Sequence, residues 1–154
     1  MSTTIPINPK LIAPLDIQHI LQVMPHRYPF LLVDRVTEYV MGSHLTALKN
    51  ITYSEPCFTG HCPESPVFPG VLQLEAMAQA ALLYTYCVKQ ESKQVYFFAG
   101  IDNARFKRPV RPGDQMLITA KAVTIKNSIS KFSAEIHVDG QLVCSADLLA
   151  MPAK

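Results

Sequence analysis

The chain has 154 residues, of which 49% are apolar and 17% are charged, and its formal net charge is +2. A chain of this length fits one domain, and we expect residues 1–154 to form a single domain with residues 1–15 as an irregular N-terminal arm. The small net charge gives no support for a nucleic-acid partner. The high apolar fraction instead predicts a large buried helix, an apolar cavity or a subunit interface.

The cysteines and the N-terminus bear on the cellular compartment. No two cysteines have a CxxC spacing, and the first residues lack the basic and apolar regions of a signal peptide. The four cysteines are Cys57, Cys62, Cys87 and Cys144. Both features favour a reducing cytoplasm. Residues 71–88 are long enough to cross a bilayer, but Gln73, Glu75 and Gln79 interrupt them, which favours a buried helix over a membrane span.

The first half of the chain predicts two helices and two strands. Asp16 is a good N-cap for a short amphipathic helix that Pro25 ends. Residues 30–40 and 44–51 have the β-branched and apolar content of strands and flank a glycine-containing turn. After a proline-rich loop, the apolar residues from about 71 to 88 predict a long helix.

The second half predicts an antiparallel sheet. We expect a short buried strand at residues 95–100. Three long strands follow, at residues 115–125, 129–138 and 141–150. The dipeptide Asp139-Gly140 favours a hairpin between the last two. Because a helix that is apolar on nearly every side needs cover on nearly every side, we expect an α+β domain in which a curved antiparallel sheet wraps around one long central helix.

Residues 60–79 carry the clearest signal for chemistry. His61 lies in a loop with three prolines, and Glu75 lies on the apolar helix, where a buried carboxyl usually has a partner or a function. Histidine can accept a proton near neutral pH, and burial favours the protonated carboxyl, which can donate one. The N–H of Gly70, at the helix N-terminus, can stabilise negative charge. A base, an acid and an oxyanion donor suit proton removal beside a carbonyl.

Two other interpretations of these residues stay open. His61 could serve only to stabilise its loop while Glu75 pairs with a lysine, and spacing alone supports this interpretation about as well. Cys57, His61 and Cys62 could bind a metal. However, the adjacent His61 and Cys62 would point apart in an extended segment, so a zinc site is disfavoured.

Four segments of the sequence occur in a fixed order. They are PHRYPFLLVDR at residues 25–35, NITYSEP at residues 50–56, GHCPESPVFPGVLQLEAMAQAA at residues 60–81, and FAGIDNARF at residues 98–106, which continues to the PGD of residues 112–114. In this order and spacing they resemble the β-hydroxyacyl-acyl carrier protein dehydratases of FabZ type. The resemblance covers roughly residues 15–150.

The resemblance implies a hot-dog fold, a curved antiparallel sheet around one long helix, in a homodimer that often assembles further into a hexamer as a trimer of dimers. It implies a catalytic histidine at His61 and a catalytic glutamate at Glu75, from opposite subunits, with the N–H of Gly70 polarising the thioester carbonyl. With glutamate at position 75 the sequence resembles the FabZ branch, since the related FabA dehydratase-isomerases carry aspartate in a similar motif. No cofactor and no metal are implied.

The implied reaction is the dehydration of a 3-hydroxyacyl group carried by acyl carrier protein, in fatty acid biosynthesis. His61 would take the α-proton while negative charge gathers on the carbonyl oxygen near Gly70, and Glu75 would protonate the departing β-hydroxyl. Gln79, one turn beyond Glu75, could orient the carboxyl through an i,i+4 contact. A contact of Gln79 with the partner subunit explains its presence at least as well.

The sequence departs from the family beside the base. The family usually has phenylalanine after the catalytic histidine, whereas this chain has Cys62. Loss of that ring could reshape the acyl tunnel. The departure therefore leaves open the chain-length preference, and whether the pathway is fatty acid synthesis or a specialised acyl or polyene pathway.

A cluster of basic residues is a second candidate site. Lys107, Arg108 and Arg111 favour docking of the acidic carrier protein, because complementary charge speeds encounter. The alternative is a solvated strand edge. The rival functions for the whole chain are a hot-dog hydratase or thioesterase that acts on a coenzyme A thioester, and a non-catalytic acyl-carrier-binding module.

Overall fold

The computed structural model describes residues 14–89 and 93–154. In chain order the elements are α1 (Ile17–Val23), β1 (Arg35–Val40), β2 (His44–Asn50), a 3₁₀ turn (Pro56–Thr59), α2 (Gly70–Lys89), β3 (Tyr96–Phe106), β4 (Gln115–Ile125), β5 (Ser130–Val138) and β6 (Gln141–Pro152). The six strands form one antiparallel sheet in the order β1-β2-β4-β5-β6-β3. The predicted α+β architecture, a sheet wrapped around one long helix, is confirmed.

The central helix α2 packs against β2, β4, β5 and β6. Its residues are buried almost without interruption from Ala76 to Cys87. Polar groups in this stretch have partners: the Tyr84 hydroxyl accepts the Gly42 N–H at 2.9 Å, and the Thr85 hydroxyl donates to the Ala81 carbonyl at 3.0 Å. Within the part of the chain that the structure describes, no helix combines the length and hydropathy of a membrane span.

The N-terminal arm predicted at residues 1–15 lies outside the described residues except at its end. There Leu15 forms an isolated antiparallel bridge with Val36, and both N–H···O distances are 2.9 Å. The Asp16 carboxylate accepts the N–H of His19 at 3.1 Å and caps α1, as its sequence predicted. Leu15 therefore occupies part of the outer edge of β1.

The strand predicted at residues 30–40 was too long. β1 begins at Arg35. Of the segment before it, Asp34 still bonds β2, but Phe30 and Leu32 bond the side chain of Gln79 on α2. The Phe30 carbonyl accepts from Gln79 Nε2 at 2.7 Å, and the Leu32 N–H donates to Gln79 Oε1 at 2.8 Å. These bonds take the backbone groups that a longer strand would have used.

The strand predicted as short and buried at residues 95–100 is instead β3, which is 11 residues long and mostly exposed. Its apolar residues suggested burial. However, β3 lies at the end of the sheet order and pairs with β6 alone among the described strands. One side of the strand is therefore an open edge, and apolar side chains on it remain accessible.

Candidate active site

Glu75 lies in the second turn of α2, and the side chain of Gln79 fixes it. Its Oε1 accepts from Gln79 Nε2 at 2.9 Å, one helical turn later. Gln79 is 1% exposed, and the same amide bonds both Phe30 and Leu32. The contact expected between Glu75 and Gln79 is present, and it also joins the carboxyl to the segment before β1.

The protonation states around Glu75 are set mainly by burial. Burial raises the pKa of Glu75, and the hydrogen bond from Gln79 opposes this rise. His26 Nε2 lies 3.6 Å from Glu75 Oε1, and burial lowers the pKa of His26. Burial therefore shifts both groups toward their neutral forms. A glutamic acid that keeps its proton to higher pH than an exposed one can serve as a proton donor.

His26 is a site residue whose contact with Glu75 the sequence did not reveal. It stands in the PHRYPF segment, which could line the entrance of the site or the subunit contact, although two prolines that fix the backbone favoured a structural role. No spacing rule connects it with Glu75, because the contact depends on how the segment after α1 lies against α2. The one available signal was a titratable residue within a motif shared with a family of enzymes.

A cavity of about 260 Å³ lies beside Glu75. Its polar lining comes from His26, Glu75, Gln79, Thr85 and Tyr96. The rest of its lining is apolar: Phe30, Ala78, Ala81, Leu82, Phe97, Phe98, Phe132, Leu148 and Ala150. A mainly apolar slot with a small polar group of residues suits a ligand that has an acyl chain and a polar reactive end.

His61 lies on the exposed loop before α2 and is bonded at both its backbone and its ring. Its N–H donates to the Cys57 carbonyl at 2.8 Å, and its Nδ1 lies 2.7 Å from the Val67 carbonyl. Because a carbonyl can only accept, Nδ1 carries the proton and the lone pair of Nε2 remains available as a base. Among the described residues of one chain, His61 is not part of the lining of the Glu75 cavity.

Gly70 is the first residue of α2. The N–H groups of Leu72 and Gln73 bond the Pro69 carbonyl at 3.0 and 3.1 Å, whereas the N–H of the first helical residue has no carbonyl one turn earlier in the helix. A Cβ atom at Gly70 would lie 2.8 Å from Cε1 of Phe106. Position 70 therefore combines a helix N-terminal amide with a close approach of α2 to β3.

We expect Gly70→Ala to lower the free energy of unfolding by about 1–3 kcal/mol, because the new methyl group overlaps the Phe106 ring. The ring is 52% exposed in the single chain, so Phe106→Ala removes the overlap and leaves the core of that chain intact. In urea denaturation, Gly70→Ala should therefore cost less stability in a Phe106→Ala background than in the wild type. Equal losses in the two backgrounds would contradict a steric role for this contact.

Comparisons with known proteins identify the family of this chain. A FabA-like domain matches residues 24–147. The chain is 52% identical over 144 residues to 3-hydroxyacyl-[acyl-carrier-protein] dehydratase FabZ of Haemophilus ducreyi, with 92% of each chain covered. The chain belongs to the FabA-like family. Within it, the FabZ protein of Tolumonas auensis is 54% identical over 140 residues, covering 88% of this chain and 93% of that one, which confirms the resemblance to the FabZ type.

Solved structures share the fold at low sequence identity. The dehydratase heterocomplex ApeI:P from Xenorhabdus doucetiae has a TM-score of 0.74 at 18% identity, covering 91% of this chain and 92% of that one. A mutant form of the thioesterase PA1618 from Pseudomonas aeruginosa has a TM-score of 0.59 at 20% identity, covering 77% and 81%. Together with the family match, they identify the hot-dog fold.

The basic residues predicted to dock a carrier protein differ in how they are held. Lys107 is exposed, and its side chain has no hydrogen-bond or ion-pair partner among the described residues. Arg108 Nη1 donates to Gln141 Oε1. Arg111 Nη1 lies 3.4 Å from both the Ser65 hydroxyl and the Pro66 carbonyl, on the loop that carries His61. Arg111 therefore has a local contact as well as its predicted role in docking.

Proposed function

We propose that the chain is a 3-hydroxyacyl-[acyl-carrier-protein] dehydratase, which converts a (3R)-3-hydroxyacyl thioester into the trans-2-enoyl thioester in fatty acid biosynthesis. The observation that carries the proposal is Glu75, a carboxyl with a raised pKa that borders a mainly apolar cavity. Such an acid can protonate a departing hydroxyl group, and such a cavity can hold the acyl chain. The identity of 52% to FabZ of Haemophilus ducreyi supports the same activity.

The base in the proposed reaction is His61 of a second copy of the chain. The Val67 carbonyl fixes the tautomer, so Nε2 is the atom that takes the α-proton. The ring does not line the Glu75 cavity of its own chain. A site that holds both residues therefore needs the partner subunit's His61.

The open edge of the sheet at β3 supports this dimer. Four apolar side chains of β3 are 38% to 62% exposed: Phe97, Phe98, Ile101 and Phe106. A long apolar edge strand without cover readily pairs with another chain. Phe97 and Phe98 also line the Glu75 cavity, so a contact along β3 brings the second copy to the site. We expect a homodimer through this edge, assembled further as a trimer of dimers.

The proposed reaction needs three groups acting on one substrate. The partner subunit's His61 removes the α-proton as negative charge grows on the thioester oxygen, which the N–H of Gly70 stabilises. The C–O bond to the β-hydroxyl then breaks as Glu75 gives that oxygen its proton, and the electron pair of the α-carbon forms the double bond. Gln79 holds Glu75 in place. Water leaves, and the step uses no cofactor or metal.

We further propose that residues 1–154 form a single dehydratase domain that works in the cytoplasm. Three cysteines are free thiols: Cys57, Cys62 and Cys144. Free thiols suit a reducing compartment.

Turnover of a 3-hydroxyacyl-carrier series of increasing chain length tests the proposed function. The expected product is the 2-enoyl-carrier, one water lighter by mass, with the double bond located by fragmentation. Release of free thiol from a coenzyme A thioester, without unsaturation, would favour a thioesterase of the same fold. Carrier binding without any change in the acyl group would favour a non-catalytic module.

Carrier docking predicts an effect on KM that depends on the substrate. We expect Lys107→Glu to raise KM about tenfold for a carrier-bound substrate and to leave KM for a small pantetheine thioester nearly unchanged, because charge on the rim acts mainly on encounter. Lys131→Glu, at an exposed position on β5, is the matched control. Equal effects of Lys107→Glu on both substrates would refute docking at this residue.

A further inference from the structure

The end of β2 carries a buried lysine that no step above uses. Lys49 is 3% exposed, and its Nζ lies 2.8 Å from Glu55 Oε1. The same Nζ lies over the ring of Phe68, 6.0 Å from its centroid. Because a buried ammonium is costly without a well-placed counter-charge, the pairing with Glu55 strongly constrains both side chains.

The partner of this lysine, Glu55, lies at the start of the loop that carries His61. Glu55 immediately precedes the 3₁₀ turn, and the Phe58 N–H bonds the Glu55 carbonyl at 3.1 Å. Within that turn the Cys57 carbonyl accepts the N–H of His61 at 2.8 Å. The Glu55 side chain makes no capping bond to the turn, so its carboxylate serves the lysine and ties the start of the loop to β2.

The second contact of Lys49 stands where the same loop ends. Phe68 is 1% exposed, and its N–H bonds the Val110 carbonyl at 2.7 Å. The residue before it, Val67, accepts the ring N–H of His61 at 2.7 Å. The ammonium group of Lys49 thus contacts a residue before the Cys57 carbonyl, which accepts the His61 backbone N–H, and a residue after the Val67 carbonyl, which accepts its ring N–H.

We propose that Lys49 is a positioning residue for the base. By pairing with Glu55 and lying on the Phe68 ring, it sets the separation of the two ends of the loop and hence the direction of His61 Nε2. This inference rests on the proposed role of His61 in catalysis. A shift of about 1 Å in a reacting group can lower a rate about 100-fold, so a contact remote from the substrate is sufficient.

The double variant Lys49→Met/Glu55→Leu separates the effect of the Lys49–Glu55 pair on the position of His61 from its effect on the stability of the protein. Replacing a buried ion pair by apolar side chains of similar size often leaves stability unchanged or raises it, whereas removing one partner leaves a buried charge unpaired. We expect the folded double variant to lose about 10–100-fold in kcat with little change in KM for a small thioester. Glu55→Gln, which keeps the oxygen acceptor, should lose less, and Lys131→Met, which removes an exposed lysine, should lose nothing.

A second measurement reads His61 without turnover. Long-range ¹H–¹⁵N spectra report which imidazole nitrogen carries the proton, and the wild-type ring should be protonated at Nδ1 alone. In the double variant both tautomers should be populated, because the hydrogen bond from His61 Nδ1 to the Val67 carbonyl is weakened. If wild-type protein proves inactive, the proposed function fails. The spectrum still tests whether Lys49 positions the His61 ring. Folded variants that keep both the wild-type kcat and the single tautomer would overturn the proposal.

Discussion

Glu75→Gln should lower kcat by about 10²–10⁴-fold and leave the protein folded, because glutamine keeps the size and the acceptor oxygen of glutamic acid but has no acidic proton to give. Gln79 Nε2, 2.9 Å from Glu75 Oε1 in the wild type, can still donate to the new amide oxygen. The measurement is turnover of a 3-hydroxyacyl-carrier by mass spectrometry, with circular dichroism as the check on folding. Wild-type turnover in this variant would exclude Glu75 as the acid.

The stability of the same variant gives an independent check on the protonation state. Burial raises the pKa of Glu75 in the folded protein. The contribution of Glu75 to stability is therefore largest below the pKa that this carboxyl has in the unfolded chain. That contribution is lost as pH rises through its pKa in the folded protein. Since glutamine does not ionise, we expect Glu75→Gln to have the higher free energy of unfolding at alkaline pH. A variant less stable than wild type under those conditions would contradict a raised pKa.

Mixing two inactive variants should restore activity. His61→Ala removes the base, and we expect a loss comparable with that of Glu75→Gln. If each site takes its histidine from one subunit and its glutamate from the other, a mixed dimer of these variants has one complete site and one site that lacks both groups. Random pairing makes half the dimers mixed, so an equimolar mixture should regain about one quarter of wild-type activity after subunit exchange.

The matching control uses wild-type chain mixed with the double variant His61→Ala/Glu75→Gln. With sites shared between subunits, neither site of the mixed dimer is complete, so an equimolar mixture should have about one quarter of wild-type activity. With sites contained in one subunit, the same mixture should have about one half, and the two single variants should stay inactive together. The two mixtures therefore distinguish the arrangements without a structure of the dimer.

Elements whose signal is local were predictable from the sequence. The mainly apolar residues 71–88 predict α2 to within one residue at each end, because the structure has Gly70–Lys89. Asp139 and Gly140 have φ values of 50° and 76°, as a two-residue hairpin turn requires. The i,i+4 contact between Glu75 and Gln79 also follows from helix geometry alone.

Features that depend on packing were not predictable. An apolar strand indicates burial but does not say whether the cover comes from the same chain, and so β3 was expected in the core although it lies at the edge. The contacts of His26 with Glu75 and of Lys49 with Phe68 join segments that no periodicity links. The single chain also leaves His61 outside the Glu75 cavity, a separation that motif spacing alone does not reveal.

Because the proposed dimer forms along the open edge of β3, the rate of catalysis depends on the concentration of the chain. On the proposed assembly a lone copy is inert, since its own His61 does not line the cavity that holds Glu75. Far below the dissociation constant, the number of competent pairs grows with the square of the concentration of chains, so a twofold dilution should cost about fourfold in rate. Substitutions in β3 that weaken the dimer would therefore lower the dehydration rate strongly when expression of the chain is low and hardly at all when it is high.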